Sequence, residues 1–416
     1  MWVLGDGTSA PIPADAAALI DGGPRFLTDA FRRFGSLPPT NEVTAITECV
    51  EVVGGSTGRK LTLTVAYRRP GPQTELFVKF SRDPTDPARD HGRTQMAPEV
   101  AFATLSTRPG FPITVPTTMF ADYQRESGTG ILVTERITFG RNGIEPQHVK
   151  CADYDMDDQL GHYRALFTAV ARLAAADRAG AITHDLGGDA PAVGDRPNLD
   201  ADRLHRRLDR LTEFASDHPG LLPANVRTAS FLSGLHDHLP RLLAAEARVS
   251  RELGAHPELV ALCHWNANVD NAWFWRDADG TLRCGLLDWG GVGPMNVAMA
   301  VWGAMSGAET AMWDDHLPEL CAAFGDEFVR SGGGSLDVDR MIRHVLLYAS
   351  VMGMTWLLDV PAHVRSAVPG LSAATTRMDA AIRDVESVRC RLQMLTNVLN
   401  LWETHGLGQM LDSLET

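Results

Sequence analysis

The stretch "LCHWNANVDNAWFW" (residues 262–275) places three asparagines and one aspartate between two apolar segments. Further on, "GLLDWGGVGPMN" (285–296) carries Asp288 at the end of another apolar segment. Short polar side chains of this kind are good turn formers, so an Asx-rich structural turn is one interpretation. The other is functional, because Asn271 and Asp288 offer two oxygen ligands of the kind that holds Mg²⁺ while phosphates complete the shell. These residues alone leave both interpretations open.

Composition limits the class of protein. The chain has 416 residues, of which 44% are apolar and 22% charged, as expected for a globular protein of two to three domains or one two-lobed enzyme. Its 38 basic and 52 acidic residues give a net charge of −14, whereas nucleic acids and anionic membranes call for a basic face. We therefore expect no nucleic-acid partner and no membrane partner.

Targeting signals and cysteine usage predict the compartment. The chain lacks an apolar run near the roughly 18 residues of a membrane span, and its first residues lack the pattern of a signal peptide. The six cysteines are scattered, with no C-x-x-C pair, which favours a reducing environment over a disulfide framework or a zinc site. We expect a cytoplasmic location.

Hydrophobic periodicity divides the chain into two parts. "KLTLTVAY" (60–67) alternates with the period of a half-buried strand, and "ELFVKF" (75–80) and "GILVTERI" (130–137) predict further strands. After about residue 155 the pattern becomes helical. We therefore predict an α+β fold, with a small antiparallel-sheet N-terminal lobe over residues 1–135 and a large helical C-terminal lobe over 136–416.

Lys79 is the first candidate functional residue. It lies on the strand face opposite Leu76, Val78 and Phe80, where a lysine is costly to bury without a charged partner. Glu99, in the helix-like "APEVAFATL" (97–105), is a candidate partner. The alternative is a strand-edge lysine whose ammonium reaches water.

"VEVVGGSTGRK" (50–60) ends a probable strand in a glycine-rich loop with Gly54, Gly55 and Gly58. The order of this loop, a strand lysine, a helix glutamate and the 264–288 segment resembles that of the aminoglycoside phosphotransferase and choline/ecdysteroid-kinase-like superfamily, which is related to the protein kinases. The resemblance covers roughly residues 45–305 and is most specific in the catalytic loop, H-G-D-x-x-x-x-N in the family. Here His264 takes the position of the histidine, and Asn271 and Asp288 those of the two Mg²⁺ ligands.

The resemblance also implies a protein-kinase-like fold and an ATP-binding N-terminal lobe. Lys79 takes the position of the phosphate-holding lysine, and Glu99 that of its helix partner. "LVTERI" (132–137) resembles the segment that carries adenine. The predicted nucleotide-binding residues are Gly55, Ser56, Gly58, Lys79, Glu99 and Glu135.

The departures from the family pattern concern the chemistry. Asn266 replaces the catalytic aspartate, Trp265 a glycine, and Asn268 a frequent second histidine. General-base assistance contributes only about 10²–10⁴-fold, so its loss predicts a slow enzyme if nucleotide binding persists. Asn266 would orient the acceptor, and Asp270 and His264 are the nearest titratable groups that could replace the base.

Three functions follow from the resemblance. The first is a kinase that transfers phosphate from ATP, with Mg²⁺, to a hydroxyl or amine of a small-molecule acceptor. The second is a pseudokinase that binds nucleotide or ligand and regulates a protein partner. A third is another ATP-dependent transfer, such as nucleotidylation.

Overall fold

The computed structural model describes residues 1–52, 58–184, 186 and 200–414. Most of its strands lie in the first third of the chain, as the periodicity predicts. In chain order the strands are β1 (Trp2–Leu4), β2 (Pro11–Pro13), β3 (Val43–Val52), β4 (Lys60–Tyr67), β5 (Glu75–Phe80), β6 (Thr118–Gln124), β7 (Thr129–Glu135), β8 (Val260–His264), β9 (Ala272–Arg276), β10 (Leu282–Leu286) and β11 (Val292–Asn296).

Helices dominate the rest of the described chain. Three precede residue 135, and the others follow it. They are α1 (Ala16–Phe34), α2 (Pro87–His91), α3 (Met96–Leu105), α4 (Gln159–Arg178), α5 (Ala201–Asp217), α6 (Ala229–Gly254), α7 (Val297–Met305), α8 (Thr310–Arg330), α9 (Val338–Leu357), α10 (Val360–Ala367), α11 (Ala380–Arg383), α12 (Glu386–Thr404) and α13 (Leu407–Asp412). The predicted α+β class, with an antiparallel sheet and a large helical part, is confirmed.

The principal sheet has five antiparallel strands in the order β3-β4-β5-β7-β6. In β4 the side chains of Leu61, Leu63 and Val65 are buried and the residues between them are partly exposed, the period of a strand with one core face. This face packs against α1. On the opposite face, α3 contributes Val100 to a smaller cluster with Leu132 of β7.

The chain divides into two compact units. The sheet unit comprises residues 1–145, the described part of 182–188, and 285–293. The helical unit comprises the other described residues and holds β8 and β9. The functional boundary predicted after residue 135 stays a prediction.

Within the described ranges, no single helix has both the length and the apolar character to cross a bilayer. The bent pair α9 and α10, at 42° to each other, passes only when the two helices are taken together. Most residues of α9 are buried within the protein.

Candidate functional site

Lys79, Glu99 and Asp288 form an ion cluster in the sheet unit, hereafter the Lys79 cluster. Lys79 Nζ lies 2.7 Å and 3.0 Å from the two carboxylate oxygens of Glu99 and 2.8 Å from Oδ1 of Asp288. Lys79 and Glu99 are buried, at 6% and 4% exposure, whereas the Asp288 side chain is 40% exposed. The ammonium therefore faces one enclosed carboxylate and one that is open to solvent.

Local structure explains how the two carboxylates reach Lys79. Glu99 lies in the first turn of α3. Asp288 follows β10 and has a φ of +62°, in the left-handed region that Asp tolerates better than most residues. The next residue, Trp289, stacks on Phe102 of α3 with ring centroids 3.8 Å apart, and its Nε1 donates to the Leu286 carbonyl. Trp289 thus fastens the Asp288 turn to the helix that carries Glu99.

The electrostatics of the Lys79 cluster keep the ammonium charged. Burial lowers the pKa of Lys79, but Glu99 and Asp288 more than offset this effect, so the pKa is raised above its usual value. Within the Lys79 cluster two carboxylates face one ammonium, and the exposed carboxylate is that of Asp288. A hard divalent cation with oxygen ligands fits this donor set.

The glycine-rich loop is described only at its end. Gly55 and Ser56 lie outside the described residues. Gly58 has a φ of +53°, and a Cβ at this position would lie 1.7 Å from the Phe80 carbonyl oxygen. Only glycine fits this close approach of the loop to β5, next to Lys79. Glu135 ends β7, where its Oε1 accepts a hydrogen bond from the Thr117 backbone N–H.

In the helical unit, residues 264–271 form a hydrogen-bonded loop, hereafter the asparagine loop. Asn268 Nδ2 donates to Asn266 Oδ1 at 2.6 Å, and Asn271 Nδ2 donates to the Asn266 carbonyl at 2.9 Å. The second bond uses the amide nitrogen of Asn271 and, within the part of the chain that the structure describes, leaves its side-chain oxygen without a hydrogen bond. The first bond occupies the side-chain oxygen of Asn266, so Asn266 presents an N–H donor and no basic atom.

His264 and Asp270 were predicted as replacement bases. His264 is completely buried, and its Nδ1 accepts a hydrogen bond from the Asn266 backbone N–H, which favours a positioning role. The Asp270 side chain is mostly buried, with Lys150 Nζ 3.8 Å from its Oδ2. Gln147 Nε2 donates to the Asp270 carbonyl. Proton transfer by either residue stays a prediction, as does the shared metal of Asn271 and Asp288.

Sequence reasoning missed three contributors to these groups. Lys60 lies directly opposite Lys79 in the β4–β5 register, and the alternation of "KLTLTVAY" could have placed it on that face. Lys150 pairs with Asp270, but 120 positions separate them and no local pattern connects them. The Trp289–Phe102 stack likewise depends on the tertiary fold.

A second polar cluster in the helical unit has metal-ligand composition. Atoms of Glu252, His256 and His344 lie within 4.8 Å of one another. However, the hydrogen bonds of Asn296 exclude the tautomer of His344 in which Nε2 is free to bind a metal. Its Oδ1 accepts from the Ala298 N–H, and its Nδ2 donates to the Leu253 carbonyl and to His344 Nδ1. Because Nδ1 of His344 accepts, Nε2 carries the proton and is no ligand for a metal.

The same arrangement makes His344 sensitive to pH. Burial lowers its pKa to about 4, and the nearby charges are those of Glu252, His256 and Arg340. An unfolded histidine titrates near 6.5. The unfolded chain therefore binds a proton that the folded chain refuses between about pH 4 and 6.5. This histidine stabilises the fold at neutral pH, and the contribution is lost as the pH falls through that range.

Asp153 has the opposite effect over nearly the same range. Burial raises its pKa to about 7, although Tyr163 donates to Oδ2 at 2.6 Å, and Glu309 and Asp270 add to the rise. The folded chain therefore holds a proton on Asp153 that the unfolded chain releases near pH 4. Its contribution to stability is present at low pH and is lost as the pH rises towards about 7.

Single substitutions are expected to separate these two opposing contributions. The quantity to compare is the free energy of unfolding at pH 7 minus that at pH 5. We expect Asp153→Asn to increase this difference by about 2 kcal/mol relative to the wild type. His344→Asn, which keeps an acceptor for Asn296, is expected to decrease this difference by about 2 kcal/mol. Urea denaturation at the two pH values measures both changes. An unchanged difference in either variant would contradict the assignment for that residue.

Comparisons with known proteins give structural neighbours only. No protein-family model matches the chain, and no curated protein matches it. The solved structures found include choline/ethanolamine kinases and aminoglycoside phosphotransferases. A choline/ethanolamine kinase family protein from Mesorhizobium loti is 16% identical, with 93% of this chain and 98% of that chain covered and a TM-score of 0.40.

Two further neighbours show the same pattern. A choline kinase from Cryptosporidium parvum is 10% identical, with coverages of 89% and 93% and a TM-score of 0.44. A spectinomycin phosphotransferase in complex with ADP and spectinomycin is also 10% identical, with coverages of 89% and 94% and a TM-score of 0.40. Superpositions this loose support no inference about activity, which depends on the residues of this chain.

Proposed function

We propose that the chain is a phosphotransferase that uses ATP and Mg²⁺ and acts on a hydroxyl or amine of a small molecule in the cytoplasm. The observation that carries this proposal is the Lys79 cluster. A buried ammonium between two carboxylates is costly to build and contributes little net stability. Its chemistry suits a second purpose, which is to present one cation and one exposed carboxylate to a metal-bound polyphosphate.

The roles of the residues follow from their surroundings. Lys79 would contact the phosphates, and Glu99 would hold its ammonium in place. Asp288 and Asn271 would provide oxygen ligands to Mg²⁺, which when bound neutralises phosphate charge. Asn266 would orient the acceptor by donating a hydrogen bond from its amide to the attacking oxygen. Gly55, Ser56, Gly58 and Glu135 are proposed to complete the nucleotide site.

The same asparagine loop supports the alternative of a pseudokinase that binds nucleotide or ligand and regulates a protein partner. Asn266 cannot accept a proton, and Asn268 already occupies its side-chain oxygen. Phosphoryl transfer passes through a loose transition state in which positioning and charge stabilisation supply most of the rate. We therefore favour a slow enzyme over an inactive one.

The acceptor is proposed to be a cationic or neutral small molecule. A net charge of −14 favours a cationic or neutral acceptor over an anionic one. Three of the neighbouring solved structures are those of a choline/ethanolamine kinase family protein, an aminopropanol kinase and a spectinomycin phosphotransferase. Choline, ethanolamine, aminopropanol and spectinomycin, hereafter the amino-alcohol panel, are therefore suitable probes.

The proposal requires first that the protein binds ATP together with Mg²⁺, and calorimetric titration with ATP tests this requirement. We expect saturable binding of one nucleotide in the presence of Mg²⁺ and much weaker binding when EDTA removes the metal. If ATP does not bind under either condition, both the kinase and the nucleotide-binding pseudokinase are excluded.

A further inference from the structure

Lys60 is a second lysine on the sheet face that carries Lys79. The β4–β5 register places the two residues directly opposite each other, with Leu61 opposite Val78 next to them. Directly opposed residues in an antiparallel sheet point to the same face, with Cβ atoms about 5 Å apart. Lys60 and Lys79 therefore form an adjacent cationic pair on the face opposite the apolar core.

The two lysines differ in their partners. Lys79 binds both Glu99 and Asp288. Within the described ranges, the Lys60 ammonium has neither an ion pair nor a hydrogen bond, although the residue is partly buried. Its neighbour Arg59 pairs with Glu51. Lys60 is thus a half-buried cation next to another cation; the charges of Asp288 and Glu99 reach it, but within the described ranges no carboxylate contacts its ammonium.

This position is unfavourable for the unliganded fold. Like charges directly opposite each other destabilise a sheet, and partial burial adds a desolvation cost. Burial lowers the pKa of Lys60. The charges of Asp288 and Glu99 oppose this effect, and those of Lys79 and Arg89 add to it. Functional sites often contain residues whose replacement by a neutral side chain would stabilise the protein.

The surroundings indicate which anion belongs there. Gly58, two residues before Lys60, presses the end of the glycine-rich loop against the Phe80 carbonyl, one residue beyond Lys79. The charges of this group cancel, since it contains the ammonium groups of Lys60 and Lys79 and the carboxylates of Glu99 and Asp288. The two positive charges of an added Mg²⁺ are therefore balanced only by a ligand that is itself negatively charged. A ligand with several negative charges in a row matches two ammonium groups side by side.

We propose that Lys60 is a second phosphate-contacting residue, which binds the polyphosphate of the nucleotide beside Lys79. The identity of the ligand rests on the proposed function. The anion site itself rests on the β4–β5 register and on the absence, within the described ranges, of an ion pair at Lys60. Lys60 is a binding residue in this account and takes no part in proton transfer.

Calorimetry on the full chain tests the inference, with Mg-ATP, Mg-ADP, adenosine and inorganic tripolyphosphate as probes. Lys60→Met is expected to weaken both nucleotides and tripolyphosphate roughly 10-fold or more and to leave adenosine unchanged. It is also expected to keep or raise the melting temperature. Arg59→Met removes the same charge one residue away and is expected to bind every probe as the wild type does.

The outcomes separate this inference from the proposed function. If the wild type binds Mg-ATP and Lys60→Met binds it equally well, Lys60 has no phosphate contact, while the phosphotransferase proposal stands. If the wild type binds tripolyphosphate through Lys60 but does not bind Mg-ATP, the anion site is supported and the proposed function fails. If the wild type binds neither probe, both are overturned. A lower melting temperature with unchanged binding would make Lys60 a structural residue.

Discussion

Replacement of Asn266 by aspartate is expected to raise the rate of phosphate transfer by about 10²-fold or more, the lower end of what a positioned general base contributes. In the asparagine loop, one oxygen of the introduced carboxylate would accept the Asn268 amide that Asn266 Oδ1 now accepts. The second oxygen would take the place of the amide nitrogen and could receive the proton of the attacking hydroxyl. The measurement is ADP release with the amino-alcohol panel and with water as acceptors.

A matched control removes the effect of added charge alone. Asn268→Asp introduces the same charge two residues away, where it replaces the amide that donates to Asn266. We expect no gain in rate from this variant. If Asn266→Asp binds Mg-ATP but is no faster than the wild type with any acceptor, the missing base does not limit the reaction and the pseudokinase is the better account.

Replacement of Lys79 by methionine is expected to abolish nucleotide binding and to destabilise the fold by about 3–5 kcal/mol, as is usual when one partner of a buried ion pair is removed. The Glu99 carboxylate, at 4% exposure, would remain buried without its counter-ion and beside Asp288. Chemical denaturation measures the loss of stability, and calorimetry with Mg-ATP measures the loss of binding.

The double variant Lys79→Met/Glu99→Gln distinguishes stability from function. Removing both charges eliminates the uncompensated carboxylate, and replacement of a whole buried ion pair by neutral groups is often close to neutral for stability. We expect the double variant to recover most of the lost stability and still to bind no nucleotide. Recovery of Mg-ATP binding together with stability would show that Lys79 is only a structural ion-pair partner.

The sequence was informative where a local pattern determines the position of a side chain. Strand alternation placed Lys79 on the face opposite the core, and the resemblance paired it with Glu99 at the start of a helix, as the structure has them. Gly58, predicted as part of the glycine-rich loop, lies where only glycine fits, and its contact with a nucleotide stays a prediction. Gly55 and Ser56 lie outside the described residues.

Contacts between distant segments were not predictable. Asp288 was expected as a metal ligand, and its ion pair with Lys79, 209 positions away, depends on the turn that Trp289 fastens to α3. The orientation of the amides in the asparagine loop depends on which nitrogen finds an acceptor, which no residue pattern specifies. The tautomer of His344 is set by Asn296, 48 positions away.

The most direct test of the central claim is calorimetric titration of Mg-ATP into the wild type and into Asp288→Asn. Asparagine keeps the size of the side chain and tolerates the φ of +62° at this position, so a loss of binding reports on the carboxylate and not on the turn. The account predicts Mg²⁺-dependent binding in the wild type, and binding at least 10-fold weaker and independent of Mg²⁺ in the variant. Equal Mg²⁺-dependent binding in both proteins, or no binding in the wild type, would contradict it.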